Sequence, residues 1–224
     1  FLRLSDDTGM IIHCGRPDIY FEPINQDRRA ERRRQLGIPD DGVLCFTAAK
    51  MEQVKGHTIQ IEAMRRLKEG AAWDKLYFAW AGDGDQQEHL KSELHALGVL
   101  DKVHLLGHQT DITAWLDASD CFVLSSPIEA IPLSIMEAMA KGLPVVATAV
   151  GGVPEALGDS GFLIARPREG ERTITDLVAA LETLAGDADL RRRKGAEGRT
   201  RAVTMFRQQR MIEDYRAVFE ISMS

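Results

Sequence analysis

The chain has 224 residues, of which 44% are hydrophobic and 28% are charged, which is the composition of an ordinary globular protein. A formal net charge of -6 argues against a nucleic-acid binder, which normally carries a basic surface. The three cysteines match neither a disulfide framework nor a zinc site, and no run reaches the roughly 18 apolar residues of a membrane span. With no signal peptide at the start of the chain, we expect a cytoplasmic protein without a nucleic-acid partner.

The first 42 residues differ in pattern from the rest of the chain. An apolar run at 10–13 is followed by a stretch dense in Arg and Glu at 27–36, which indicates a solvated helix, and by a turn cluster at 37–42. The chain also does not begin with Met. We predict that residues 1–42 are a connector and the tail of a preceding domain.

From residue 43 onward, short apolar runs alternate with amphipathic helical patterns. The runs are 43–49, 76–81, 103–106, 121–124, 144–147 and 162–164, and the helical patterns are 57–68, 86–97, 112–116 and 133–140. Such alternation predicts βαβ units in a parallel sheet, and the lack of in-out alternation within the runs predicts helices on both faces. We therefore expect residues 43–170 to form a doubly wound α/β domain with six parallel strands in the order 3-2-1-4-5-6.

The remainder, residues 171–224, has no strand signal. It predicts two or three helices that pack on the sheet domain, with breaks near Gly186 and Gly195. If a neighbouring domain is absent, we expect apolar residues such as Phe206 and Phe219 to be exposed.

Ligands of doubly wound sheets bind at the carboxyl ends of the strands, where the strand order reverses. In the predicted order, strands one and four are neighbours there, which places Lys50, Lys55 and Glu129 around one crevice. Gly82-Asp83-Gly84 after the second strand suggests dinucleotide binding only weakly, because the third glycine of that fingerprint is replaced by Gln87. A plain turn between strand and helix is the favoured interpretation.

Residues 125–140 carry the strongest chemical signal. Pro132 suits the first position of a helix, and the free N–H groups of Leu133 and Ser134 would then bind phosphate. Lys50 and Lys55 could supply the countercharge. Each part alone also has a simpler explanation, since lysines on loops are usually solvated.

Two glutamates flank this helix start. Glu137 lies about 6 Å into the helix, where its carboxylate could accept hydrogen bonds from ribose hydroxyls. Glu129, in the loop ahead of the helix, would face the other side of the phosphates. A glutamate in such a position often only stabilises the helix dipole.

Glu129 and Glu137, with Pro132 between them, resemble the Glu-x7-Glu motif of group 1 (family 4) retaining glycosyltransferases. Further segments resemble that family in the same order, at 49–57, 81–84, 105–107, 120–126 and 142–155. The resemblance covers about residues 10–220. It implies the C-terminal donor-binding domain of the GT-B fold, in which two Rossmann-like domains face each other.

The resemblance also implies a role for each matching residue. Glu137 would hold the donor ribose, Glu129 the hydroxyls of the donor sugar, and Lys50 with Lys55 the diphosphate. The other implied donor-binding positions are Ala130, Ile131, Pro132, Leu133, Gly82 and His108, with His108 near the base. Two positions depart from the family pattern. Lys50 replaces a usual arginine and therefore cannot contact a phosphate with two parallel hydrogen bonds. Ala130 replaces a usual glycine, which works against close approach of the donor to the backbone there.

The implied activity is retaining transfer of a hexose from a UDP- or GDP-type sugar to a saccharide or lipid-linked acceptor in polysaccharide biosynthesis. The acceptor would bind to a domain missing from this chain, so the isolated chain would be inactive. No metal or cofactor is expected, because the lysines neutralise the diphosphate. Loose association of the parent protein with the inner face of the membrane is a further expectation. The alternatives are a sugar-nucleotide epimerase of GT-B fold and a non-catalytic nucleotide-binding module; a phosphorylase would need a lysine for pyridoxal phosphate, which no segment indicates.

Overall fold

The computed structural model describes residues 11–223, with side chains described up to residue 220. The strands are β1 (Val43–Ala48), β2 (Leu76–Ala81), β3 (Val103–Gly107), β4 (Cys121–Leu124), β5 (Val145–Thr148) and β6 (Phe162–Ile164). The helices are α1 (Gln26–Gln35), α2 (His57–Leu67), α3 (Gln87–Leu97), α4 (Ile112–Ala118), α5 (Leu133–Ala140), α6 (Val153–Leu157), α7 (Glu171–Gly186), α8 (Ala188–Met205) and α9 (Gln208–Met223).

The strands form one six-stranded sheet in the order β3-β2-β1-β4-β5-β6, and every neighbouring pair is parallel. This confirms the predicted order, and each strand begins and ends within one residue of its predicted bounds. Cys45 is paired with Cys121 where β1 meets β4. The carboxyl ends of these two strands therefore lie side by side, at the point where the strand order reverses.

Helices cover both faces of the sheet, as the apolar runs predict. Leu44 and Phe46 of β1 belong to the hydrophobic cluster that includes residues of α4, α5, α6 and α8. Val43 and Cys45 belong to the opposite cluster, with α2, α3 and α7. All four side chains are buried, so alternate residues of one strand serve two separate layers of the core.

The prediction that residues 27–36 form a solvated helix is correct for the helix and for its outer face, which is exposed, but not for its inner face. Helix α1 packs against α4, and Arg33 is buried. The Arg33 guanidinium donates to Asp120 Oδ2 at 2.7 Å and to the Gly42 carbonyl at 2.7 Å, while Arg29 donates to Asp120 Oδ1 at 2.6 Å. Asp120 Oδ2 also accepts the N–H of Leu44 at 2.8 Å. The inner face of α1 is thus held by arginines and one carboxylate.

The C-terminal helices pack on the sheet domain, α7 on α2 and α8 on α5. The predicted break at Gly186 is confirmed, and Asp187 caps the next helix by accepting the Leu190 N–H at 2.7 Å. The predicted break at Gly195 is wrong. Helix α8 continues through this position. A Cβ on residue 195 would overlap the carbonyl of Gly142, so the glycine permits α8 to pack closely on the turn after α5. Among the helices within residues 11–223, none is long and apolar enough to span a membrane.

The expected exposure of the C-terminal apolar residues is confirmed for one residue and wrong for the other. Phe219 on α9 is 64% exposed. Phe206, between α8 and α9, is fully buried in the core, with the ring of His13 at 6.0 Å. The segment that precedes α1 therefore covers the turn between the last two helices.

Candidate active site

Two loops meet at the carboxyl ends of β1 and β4. Ser125, which follows β4, donates its hydroxyl to the carbonyl of Gly56 in the loop after β1, at 2.7 Å. Thr47 at the end of β1 donates to the carbonyl of Val123 at 2.8 Å. Ser125 and Thr47 are both buried. These contacts hold the β1–α2 loop against the β4–α5 loop, so the side chains of both loops face one region.

The two loops bring Lys55 and Glu129 together. Lys55 Nζ lies 2.8 Å from Glu129 Oε1, and the side chains are 26% and 9% exposed. Lys50 is placed differently: its side chain is 70% exposed, and its ammonium lies 3.5 Å from a carboxylate oxygen of Glu52. Of the two lysines that the sequence places around the crevice, only Lys55 contacts Glu129 in this structure.

The N-terminus of α5 lies directly after the Glu129 loop. The helix begins at Leu133, with Pro132 as its N-cap at ψ 122°, so the prediction that Pro132 is the first helical residue is wrong by one position. The Pro132 carbonyl accepts the N–H of Ile135 at 3.2 Å. No hydrogen bond within residues 11–223 uses the N–H of Leu133 or Ser134. Two free backbone donors at a helix N-terminus can bind an anion.

A pair of glycines holds the Glu129 loop in place. The N–H of Gly152 donates to the carbonyl of Ala130 at 2.6 Å. Gly151 has φ +51°, and a Cβ on it would overlap the carbonyl oxygen of Glu129. Ile131 packs against Gly152. The backbone after β5 thus determines where Glu129 lies, a role that the sequence alone does not indicate.

We expect Gly151→Ala to destabilise the protein more than Gly98→Ala. Both glycines have a positive φ, +51° and +71°, which costs an alanine about 1–2 kcal/mol. Only Gly151 also meets backbone within contact distance; around Gly98 the space is open. Displacing the Glu129 loop should add about 1–3 kcal/mol, as overpacking does in cores. Urea unfolding of both variants measures the difference, and equal losses would show that the loop is not held by this contact.

Glu137 lies in the second turn of α5 and is buried. Its Oε1 is paired with the guanidinium of Arg16, and the hydroxyl of Tyr20 lies near enough to lower the pKa of the carboxyl. The guanidinium carbon of Arg16 lies 5.0 Å from the centre of the Tyr20 ring. Burial raises the pKa of Glu137, and Arg16 and Tyr20 act in the opposite direction.

Sequence reasoning misses both Arg16 and Tyr20. Arg16 is 121 positions from Glu137 in the chain, in a segment with no recognisable chemical motif. No local spacing rule connects an arginine of the connector with a glutamate on α5. Only the fold brings them together.

Gly82 and His108 lie farther along the same edge of the sheet. The N–H of Gly82 donates to the Gly107 carbonyl at 2.8 Å, and the Asp83 carbonyl accepts the N–H of Met51 at 2.7 Å. The turn after β2 therefore supports the loop that carries Lys50, as expected of a plain strand-to-helix turn. His108 is exposed and follows β3, the edge strand, which is two strands from β1.

A cavity of about 330 Å³ lies beside the Glu129 loop. Its lining residues are Pro127, Val150, Gly151, Arg166, Pro167 and Arg168. Arg166 is anchored by donating from Nε to the Ala149 carbonyl at 3.0 Å. The two arginines add positive charge next to the loop, and no sequence motif indicates them.

Comparison with known proteins gives a consistent result. A family model described as glycosyl transferases group 1 matches residues 28–201. The chain is 31% identical over 209 residues to spore coat protein SA of Bacillus subtilis, covering 87% of this chain and 53% of that protein. It is 29% identical over 186 residues to the lipopolysaccharide core biosynthesis glycosyltransferase LpsE of Rhizobium meliloti, covering 82% and 51%. The chain thus spans about half the length of these curated relatives.

A solved structure shares the fold. The structure of Anabaena HepE in complex with UDP and glucose superposes with a TM-score of 0.83 at 22% identity, covering 96% of this chain and 58% of that chain. This likeness confirms the predicted doubly wound α/β fold.

Proposed function

Because this chain belongs to the glycosyl transferases group 1, we propose that it is the donor-binding part of a retaining enzyme that transfers a hexose from a UDP- or GDP-type sugar. The proposed acceptor is a saccharide or a lipid-linked saccharide. The observation that carries the proposal is the Lys55–Glu129 pair beside the free N-terminus of α5. A cation and free N–H groups suit a diphosphate, and a carboxylate suits the hydroxyls of a sugar.

The charges support a division of roles. Lys55 and the N–H groups of Leu133 and Ser134 would stabilise the negative charge that develops on the leaving diphosphate. Glu129, released from Lys55 as the diphosphate arrives, would accept hydrogen bonds from the donor sugar. Lys50, exposed on the same loop, would add to the positive potential.

Glu137 is proposed to hold the ribose. Glu137 lies four residues after Leu133, about 6 Å along α5, and so deeper in the helix than the N–H groups proposed to bind phosphate. The backbone from Ala130 to Leu133 would lie against the sugar and the phosphates. Gly82 and His108 would complete the donor side, with His108 toward the base.

The acceptor is proposed to bind to a second domain. The relatives are about twice as long as this chain, and the solved relative is described in complex with UDP and glucose. We therefore expect the 224-residue chain to bind nucleotide weakly and to transfer no sugar by itself. The name of the Rhizobium relative supports a role in polysaccharide synthesis. A cytoplasmic location, loosely at the inner face of the membrane, is a further part of the proposal.

Nucleotide binding and sugar transfer test the proposal at two levels. Thermal-shift measurements of this chain with UDP, GDP, ADP and their sugars should show stabilisation by at least one of them. A protein that joins this chain to its acceptor-binding domain should transfer sugar with retention of anomeric configuration. NMR of the donor alone separates an epimerase, which turns over without acceptor. No stabilisation by any nucleotide would refute the proposed site.

We expect nucleotide affinity to be independent of divalent metal ions and to decrease with salt. Lys55, Lys50 and the α5 N-terminus supply countercharge without a metal. Charge pairing weakens as the Debye length falls from about 30 Å at 0.01 M to about 3 Å at 1 M ionic strength. Calorimetry with and without EDTA, at several salt concentrations, measures both effects. Loss of binding upon chelation would instead indicate a metal-bridged diphosphate.

A further inference from the structure

Arg16 contacts the carboxylate of Glu137 although no segment that resembles the family assigns it a role. We propose that Arg16 is a positioning residue of the donor site, which holds the Glu137 carboxylate ionised and oriented toward the hydroxyls of the nucleotide ribose. The inference rests on the proposed function, since it concerns how Glu137 recognises a nucleoside diphosphate.

The backbone of Arg16 is anchored at the turn between α8 and α9. Its N–H donates to the carbonyl of Phe206 at 2.7 Å, and its carbonyl accepts the N–H of Gln208 at 3.0 Å. The preceding N–H, of Gly15, points to the sulfur of Met211 at 3.1 Å. The backbone of Arg16 is therefore held by hydrogen bonds at both its N–H and its carbonyl.

The side chain of Arg16 is held as firmly as its backbone. It is 18% exposed, lies against the ring of Tyr20, and pairs with Oε1 of Glu137. The planar guanidinium presents its donors in a fixed geometry, which orients a carboxylate better than an ammonium does. Arg16, itself held against the Tyr20 ring, thus constrains the rotation of the Glu137 carboxylate.

The carboxylate keeps free acceptor capacity. A carboxylate offers about four lone-pair sites, and among the described residues the side-chain hydrogen bond to Glu137 is that of Arg16, to Oε1. The remaining sites can accept from the two adjacent hydroxyls of a ribose. The ion pair with Arg16 therefore orients the Glu137 carboxylate and leaves acceptor sites for the two hydroxyls of a ribose.

Arg16 also supplies the only cation within ion-pair distance of Glu137 among the described residues. Neighbouring cations are engaged elsewhere: Arg199 of α8 donates to the carbonyls of Ala140 and Phe21, and Lys141 pairs with Asp117 at 2.9 Å. Burial raises the pKa of Glu137 and Arg16 lowers it, so the pKa would rise further without Arg16. A protonated carboxyl has fewer acceptor sites for ribose hydroxyls.

The test compares ribose with dideoxyribose. Calorimetry of the 224-residue chain uses whichever of UDP, GDP and ADP binds best, together with its 2′,3′-dideoxy form. The unmodified chain should prefer the ribose form by about 10- to 100-fold, as expected for hydrogen bonds to a charged acceptor. Arg16→Ala and Arg16→Gln should lose most of this preference, and Arg16→Lys should keep part of it. In Arg16→Gln, the pH below which ribose binding weakens should lie higher than in the unmodified chain.

Arg207 offers a matched control. It pairs with Asp18 at 2.9 Å and lies over the Phe21 ring at 4.7 Å, so it ties the same segment to the same turn without touching Glu137. Arg207→Ala should keep the ribose preference, which separates positioning of Glu137 from general loosening of the segment.

The outcomes distinguish the inference from the function on which it rests. If Glu137→Gln loses the ribose preference while folded Arg16→Gln retains it at all pH values, the inference is wrong and the proposed site stands. If Arg207→Ala loses the preference as completely as Arg16→Gln, the role of Arg16 is merely structural and the inference is also wrong. If the unmodified chain binds no nucleotide, the proposed function itself is refuted.

Discussion

Replacing Lys55 with alanine is expected to lower kcat/KM for sugar transfer by about 10²- to 10³-fold, the usual cost of removing a preorganised group that stabilises transition-state charge. Two effects add in the same direction. The diphosphate would lose the cation proposed to contact it, and Glu129, only 9% exposed, would keep a negative charge that no longer has a partner. Steady-state kinetics with the donor sugar, in a protein that includes the acceptor-binding domain, measure the change.

The double variant Lys55→Ala/Glu129→Ala separates two roles of Lys55. If Lys55 only neutralised Glu129, removing both would restore most of the lost activity. We expect no such recovery, because the role proposed for Lys55 is on the diphosphate itself. Lys91→Ala, an exposed lysine on α3, is the control for simple loss of positive charge and should retain full activity. An unchanged rate in Lys55→Ala would refute the assigned role.

Asp120→Ala should lower the free energy of unfolding by about 3–5 kcal/mol, the cost typical of breaking a buried ion pair from one side. Asp120 accepts hydrogen bonds from Arg29, Arg33 and the backbone of Leu44. Its removal leaves the Arg33 guanidinium, 9% exposed, with carbonyl partners but no counter-charge. Because the cluster joins α1 to β1, the loss should also loosen α1. Urea unfolding measures the free energy.

Glu62→Ala is the matched control for this prediction. Glu62 pairs with Arg65 on the surface of α2, with side chains 41% and 57% exposed. Exposed pairs contribute at most about 1 kcal/mol, so the control should be nearly as stable as the unmodified protein. Similar losses in the two variants would mean that the Asp120 cluster does not anchor α1.

The sheet could be predicted because its signals are local. Each strand is a short apolar run that ends in glycine or polar residues, and each connecting helix carries its own periodicity. The strand order followed from the general topology of doubly wound sheets, and it placed the loops after β1 and β4 side by side. That is why Lys55 and Glu129 could be expected in one region from the sequence alone.

Contacts between distant segments could not be predicted in this way. The arginines of α1 suggest a helix surrounded by solvent. Their partner, Asp120, lies 87 positions beyond Arg33 and cannot be recognised from the local sequence. A glycine inside a helical pattern suggests a break. At Gly195 the reason for the glycine is the Gly142 carbonyl, which lies in another part of the chain and is not visible in the local pattern. Arg16 reaches Glu137 across 121 positions. In each case the local pattern is compatible with a different structure until the fold supplies the partner.

The contact between Gly151 and the Glu129 loop also has a practical consequence for altering sugar selectivity by directed evolution. A mutant library at positions 151 and 152 would consist mostly of misfolded loops, because side chains there overlap the backbone of Glu129 and Ala130. Ile128 and Ala130 in the same loop and Leu133 at the start of α5 have exposed side chains, 71% for Ile128 and 44% for Leu133. Randomising these three positions while keeping both glycines would change the side chains at the proposed donor site and leave the supporting backbone intact.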